Sequence, residues 1–129
     1  MIKSRNLRII SIFGTIAVIA GAFGSHYLKT KLSPEYLITW HTAVEYQFYH
    51  TLALGICLLF PSDKRIFRNP STWFILGILL FSGSLYMLAL TSLILSQPLK
   101  ILGILTPLGG LSFILGWVLL GFQSIKNGA

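Results

Sequence analysis

The chain has 129 residues, 54% of them hydrophobic and only 10% charged, with a mean hydropathy of +0.78. That balance excludes an ordinary soluble domain and predicts one small integral-membrane domain covering residues 1–129. The net charge of +7 comes from short basic clusters beside apolar segments and not from a long, aromatic-interleaved basic surface, so the expected partner is membrane lipid and not nucleic acid.

Four apolar segments, at about 7–23, 41–60, 72–95 and 101–122, are each able to span a bilayer. They predict an all-α membrane protein, a four-transmembrane-helix bundle. The first follows Lys3, Arg5 and Arg8 and ends near Ala20-Gly21-Ala22, a pattern that a signal peptidase also accepts. With Met1 at its head, it is expected to be a retained helix. Gly14, Ala17, Gly21 and Gly24 are spaced by 3, 4 and 3, which puts them on one face as a helix-packing seam.

Before the second segment, Ser33-Pro34-Glu35 reads as a helix start: Ser33 as cap, Pro34 at the first helical position, Glu35 at the positive end of the dipole. A helix from Pro34 to Phe60 would be the longest element, partly interfacial in its first turns, with Tyr36 and Trp40 at the outer interface. Its uncharged part, Tyr46–Phe60, is too short to cross roughly 30 Å at about 1.5 Å per residue. The crossing must therefore begin near His41, which sinks Glu45 and His50 into the membrane. Cys57, the only cysteine, lies in this run, so no intrachain disulfide is possible.

The third segment follows Asp63, Lys64, Arg65 and Arg68, a cluster expected to be solvated at the lipid surface, with Trp73 at the inner interface. Gln97-Pro98-Leu99-Lys100 is so short that the third and fourth helices must be antiparallel neighbours. Gly77 with Ser84, Gly103 with Gly110 and Gly109 with Gly116 form further seams seven residues apart, and the repeated Ile-Leu-Gly-Ile-Leu at 75–79 and 101–105 is compositional. Pro107 followed by Gly109 and Gly110 predicts a helix break, because proline removes a donor and clashes with the carbonyl of Gly103. Seven of the ten Lys and Arg residues fall on the side of the N-terminus, second connection and tail. Lys29, Lys31 and Lys100 fall on the other, so both termini are expected to be cytoplasmic.

Four ordered motifs resemble a known family. They are Gly21-Ala22-Phe23-Gly24-Ser25-His26 with Leu28-Lys29, Thr42-Ala43-Val44-Glu45-Tyr46-Gln47 with His50, Phe81-Ser82-Gly83-Ser84-Leu85-Tyr86, and Thr106-Pro107-Leu108-Gly109-Gly110 with Gly116-Trp117. Together they resemble the small four-span membrane family filed as domain of unknown function 423, whose animal relatives are called transmembrane protein 256. Ser25 departs from the alanine expected there, a small-for-small change. The resemblance implies a four-span fold and a bacterial inner (plasma) membrane location, and it carries no reaction.

The chemistry must then come from the residues. At about 100° per residue, Thr42, Glu45, Tyr46, Tyr49 and His50 spread over roughly 140° of the second helix, expected to face the protein, with Gln47 pointing away from the His41–Glu45 and Tyr46–His50 pairs. The candidate intramembrane cluster is His26, Glu45, Tyr46, Gln47, His50, Ser82, Ser84 and Tyr86. It is expected to act as a polar lock, with Glu45 paired to His26 or Lys29, and with His50 and Tyr46 bonded to Ser82, Ser84 or Tyr86. Neither catalytic nor metal residues are assigned, because no nucleophile–base spacing, phosphate loop or carboxylate pair is present, and no cofactor is expected. The expected function is a non-enzymatic accessory or scaffold component that self-associates or joins a larger membrane complex. Alternatives are a proton-coupled carrier of small solutes using Glu45 and His50, and a metal- or haem-binding subunit using His26, His41, Glu45 and His50.

Overall fold

The computed structural model describes residues 2–61, 65–95 and 99–128. Asp63, Lys64, Gln97 and Pro98 therefore lie outside the described residues. Most of the described residues are helical: α1 (Ile2–His26), α2 (Pro34–Cys57), α3 (Pro70–Gly77), α4 (Gly83–Thr91) and α5 (Lys100–Gly128), with short 3-10 turns at Leu28–Thr30 and Ile66–Arg68. A π-helical segment, Ile78–Ser82, joins α3 to α4 into one rod. Among the described residues, three helices are long and apolar enough to cross a membrane: Ser4–Thr30, Pro70–Thr91 and Ile101–Lys126. α2 falls outside that group by composition. Its 24 residues nevertheless extend about 36 Å at 1.5 Å per residue.

Residue pairs set the topology. Gly24, Gly21 and Gly14 of α1 meet Trp40, Val44 and Thr51 of α2, so these helices run antiparallel. Trp40 with Tyr86 and His50 with Phe74 make α2 antiparallel to the α3–α4 rod. Gly116, Gly77 and Gly109 meet Phe74, Phe113 and Phe81, so α5 runs back along that rod. The result is an up-down-up-down bundle with α2 between α1 and the rod.

In lipid there is no hydrophobic drive between helices, so close contact must come from shape and hydrogen bonds. The α1 face bearing Gly14, Ala17, Gly21 and Gly24 lies on α2, where a Cβ on Gly24 would come within 2.6 Å of the Trp40 ring. Between the rod and α5 the fit is reciprocal. The Phe113 ring sits over Gly77 and the Phe74 ring over Gly116, each ring filling the space a side chain would occupy.

Several expectations about α2 and α5 are corrected. α2 starts at Pro34 with Ser33 at the cap position, but the Ser33 side chain makes no capping bond, and the helix ends at Cys57 and not Phe60. Trp40 is turned into the bundle: it is buried, and its Nε1 donates to the Ala20 carbonyl at 2.8 Å. α5 continues as α-helix through Pro107, so no unwound turn forms there. Pro107 is exposed and Gly103 has open space around it, which leaves the ring room. One residue before the proline, the Thr106 hydroxyl donates to the Leu102 carbonyl at 3.0 Å, whereas the carbonyl that loses its helical donor is that of Gly103.

The irregular turn is on the facing rod. Gly83 N–H bonds the Ile78 carbonyl five residues back, the signature of a π-turn. Gly109 is pressed against this turn: a Cβ there would come within 2.7 Å of the Phe81 Cα. Gly109 is thus a contact point and not a hinge, and Gly110 lies beside the Phe81 ring.

Candidate functional site: a polar layer centred on Gln47

Along α2, buried Trp40, Ala43, Gln47, Thr51 and Leu54 recur every three or four residues and mark the face turned to the bundle. An apolar cluster around Leu28, Leu32, Trp40 and Ala89 closes one end. A second, containing Ala53, Leu54, Cys57, Phe74, Ile78 and Phe113, closes the other. Between them lies a layer of polar side chains.

Gln47 is its centre. Its Nε2 donates to the Phe13 carbonyl of α1 at 2.8 Å, and its Oε1 accepts from the Tyr86 hydroxyl of α4 at 2.9 Å. A carbonyl can only accept, so Phe13 fixes which end of the amide faces α1. The Thr51 hydroxyl donates to the Gln47 main-chain carbonyl at 2.6 Å. One amide therefore ties α1, α2 and α4 together. Gln47, expected to point away from the His41–Glu45 and Tyr46–His50 pairs, is buried and turned to α1 and α4.

His50, one turn further on, is held by rings. It stacks on Phe113 with centroids 3.4 Å apart and planes 9° apart, and meets Trp117 edge-on at 6.2 Å. Its two nitrogens have different partners. The Trp117 Nε1–H can only donate, so at 3.3 Å the His50 Nε2 accepts, while Nδ1 donates to the Tyr46 carbonyl at 2.7 Å. That assignment is the neutral imidazole with its proton on Nδ1. The expected bonds from His50 and Tyr46 to Ser82, Ser84 or Tyr86 are absent among the described residues. Tyr46 instead stacks on Phe81, centroids 4.6 Å apart.

Ser84 Oγ is 2.6 Å from Thr106 Oγ1 of α5, and each hydroxyl also lies within reach of a carbonyl of its own helix, Phe81 at 2.9 Å and Leu102 at 3.0 Å, so two protons are shared among three contacts. Ser82, inside the π-turn, is buried with an Oγ that has no hydrogen-bond partner among the described residues.

Glu45 and His26 do not join this layer. Both are exposed, and neither has a hydrogen-bond or ion-pair partner among the described residues, so the expected Glu45 pairing with His26 or Lys29 does not form. The reason is helix phase. The buried face of α2 is centred between Ala43 and Gln47, and at about 100° per residue Glu45 lies nearly opposite it. Glu45 and His50 thus occupy different faces. Among the described residues no three His, Cys, Asp or Glu side chains converge as metal ligands, so His26, His41, Glu45 and His50 do not form the alternative metal set.

Sequence reasoning missed Thr51, Thr106, Phe113 and Trp117. The findable signal was the 3–4 spacing through Trp40, Ala43, Gln47, Thr51 and Leu54, and the two glycines facing two phenylalanines at matching intervals.

Comparison with known proteins finds relatives named as membrane proteins. No solved structure matches the chain. The "UPF0382 membrane protein SAB0533" of Staphylococcus aureus (strain bovine RF122 / ET3-1) is 45% identical over 112 residues, covering 86% of this chain and 87% of its own. The "UPF0382 membrane protein YwdK" of Bacillus subtilis (strain 168) is 42% identical over 115 residues, covering 86% and 88%. A "UPF0382 membrane protein" of Haemophilus influenzae is 35% identical over 126 residues, 97% of each chain. Residues 20–110, which include Gln47, His50, Tyr86 and the π-turn, match the family described as "Protein of unknown function (DUF423)", and the chain belongs to that family of membrane proteins.

Proposed function

We propose that the protein is a four-span inner-membrane protein with both termini in the cytoplasm, serving as a non-enzymatic accessory or scaffold component that packs against itself or a larger membrane complex. The observation that carries this reading is the closed bonding of the interior. Gln47 and both nitrogens of His50 are occupied by fixed partners, which leaves neither side chain free to bind a solute or pass a proton. Glu45, which has no partner among the described residues, faces outward.

Four spans are supported by the up-down-up-down order, in which α2 crosses the same depth as its neighbours. Orientation is supported by charge. The Gln123 Nε2 donates to the Pro61 carbonyl, so the end of α5 lies beside the end of α2, on the same side as Arg5, Arg8, Arg65 and Arg68. Lys29 and Lys31 lie at the opposite end.

The test is isolation from native membranes in a mild detergent. Co-isolation of a second copy or of another membrane protein in stoichiometric amount supports the reading. A lone monomer with nothing at stoichiometric amount overturns it.

A further inference from the structure

Independently of the scaffold reading, we infer that α1 and α2 hold one anionic phospholipid of the leaflet on the N-terminal side, with an acyl chain in the groove between the two helices and its phosphate on Arg8. A groove of about 510 Å³ lies there, lined by Ser11, Gly14, Thr15, Val18 and Ile19 of α1 and by Phe48 of α2. It stays open because α1 packs chiefly on α2, and because Ser11, Gly14 and Thr15 are too short to fill the space beside the Phe48 ring. From Ser11 to Ile19 it runs about 12 Å at 1.5 Å per residue, within the roughly 15 Å of hydrocarbon that one leaflet supplies. Its mean cross-section is then about 43 Å², against about 80 Å² for a helix some 10 Å across, so the space takes a flexible chain and not the width of another span. Water is no better an occupant. The Ser11 hydroxyl is turned to the Leu7 carbonyl at 2.9 Å, which leaves the Thr15 hydroxyl short of the roughly two to four polar partners that hold a water.

The mouth of the groove selects the headgroup. At about 100° per residue Arg8 lies within about 20° of Thr15 around α1, so it stands on the groove's own face, one turn beyond Ser11. On α2, Gly55 lies within about 20° of Phe48, two turns further toward the same end. A Cβ on Gly55 would meet nothing within 4 Å, so the way from the groove to Arg8 is clear. Arg8 is exposed, with no hydrogen-bond or ion-pair partner among the described residues. The described carboxylates offer it none: Glu35 is in the first turn of α2, at the far end of the bundle, and Glu45 is at mid-helix. A guanidinium at a membrane surface with no acid of its own chain pairs with a lipid phosphate through two N–H donors, and here the same lipid has a place for its tail.

The experiment titrates phosphatidylglycerol and phosphatidylcholine of identical acyl chains against the full chain in a mild detergent and counts bound lipid by native mass spectrometry. One phosphatidylglycerol should be retained per chain, about fivefold more tightly than phosphatidylcholine. Arg8→Gln should weaken phosphatidylglycerol about fivefold, the worth of one cation near lipid, and leave phosphatidylcholine unchanged. Lys126→Gln, which removes an exposed cation at the same end of the bundle but on α5, should change neither. Thr15→Trp, with Val18→Trp as a second variant, fills the groove from an exposed position and should abolish retention of both lipids, whereas Ile114→Trp on α5 should not. Glycerol phosphate, the headgroup without tails, should not be retained. Equal retention of the two lipids, unchanged binding in Arg8→Gln, retention that survives both groove variants, or glycerol phosphate held as tightly as the lipid overturns the inference.

Discussion

Gly109 and Gly103 stand six residues apart on the same helix, and the same substitution at each should have different consequences. At Gly109 an added Cβ would lie within 2.7 Å of the Phe81 Cα, whereas at Gly103 nothing lies within 4 Å. Ordinary contact begins near 3.4 Å. Accommodating Gly109→Ala therefore means separating α5 from the π-turn by roughly 1 Å, and forced repacking of this kind costs about 1–3 kcal/mol. Both substitutions gain the same helix propensity, about 1 kcal/mol, so that contribution cancels between them. The difference is the packing cost alone, about 4–12 °C in midpoint at roughly 4 °C per kcal/mol for a chain of this length. Thermal unfolding of both variants in the same detergent, followed by circular dichroism, measures it. Midpoints within about 2 °C of each other would refute a close contact between Gly109 and Phe81.

Replacing Gln47 by Leu removes the second bond to the Phe13 carbonyl, which keeps its place in the α1 ladder, and strands the Tyr86 hydroxyl, and should cost about 1–3 kcal/mol by the same assay; Tyr86→Phe, which strands only the Gln47 Oε1, should cost less, about 0.6–1.7 kcal/mol. A Gln47→Leu protein as stable as the parent would remove the amide from the centre of the fold. Ser82→Ala deletes a buried hydroxyl that has no partner among the described residues and should leave stability equal or higher; a loss above about 1 kcal/mol would reveal a bond to that oxygen. Because α5 is already continuous at Pro107, Pro107→Ala should not change the distance between spin labels at Ile104 and Ile125, about 32 Å at 1.5 Å per residue. Lengthening by more than about 3 Å would expose a kink.

Much of the architecture could be read before any coordinates. Three of the four helices announce themselves by long apolar runs, and Ser33-Pro34 marks the start of α2 at the right residue. The small-residue face of α1 is visible because small side chains matter only where backbones approach. The phase of α2 was not legible by the same means. In a soluble helix polarity separates inside from outside, but in lipid the outward face is apolar too, so the polar residues near Glu45 gave no reliable direction. Gln47 belongs inside because an amide can serve a carbonyl and a hydroxyl at once, a requirement set by α1 and α4 and not by α2 itself. Pro107 misled for a related reason: proline predicts a missing bond, but whether a helix unwinds depends on the room around the ring. The π-turn at Ile78–Ser82 shows in sequence only as the run Ser82-Gly83-Ser84, which many straight helices also contain.

The Gln47 amide also imposes an order on biosynthesis. α1 and α2 leave the ribosome first, and within that hairpin the Nε2 can already reach the Phe13 carbonyl. Its Oε1 must wait for Tyr86, which emerges 39 residues later. Until then that acceptor is open, and the tyrosine of the rod is the group that closes it, so the layer is complete only once α4 lies beside α2.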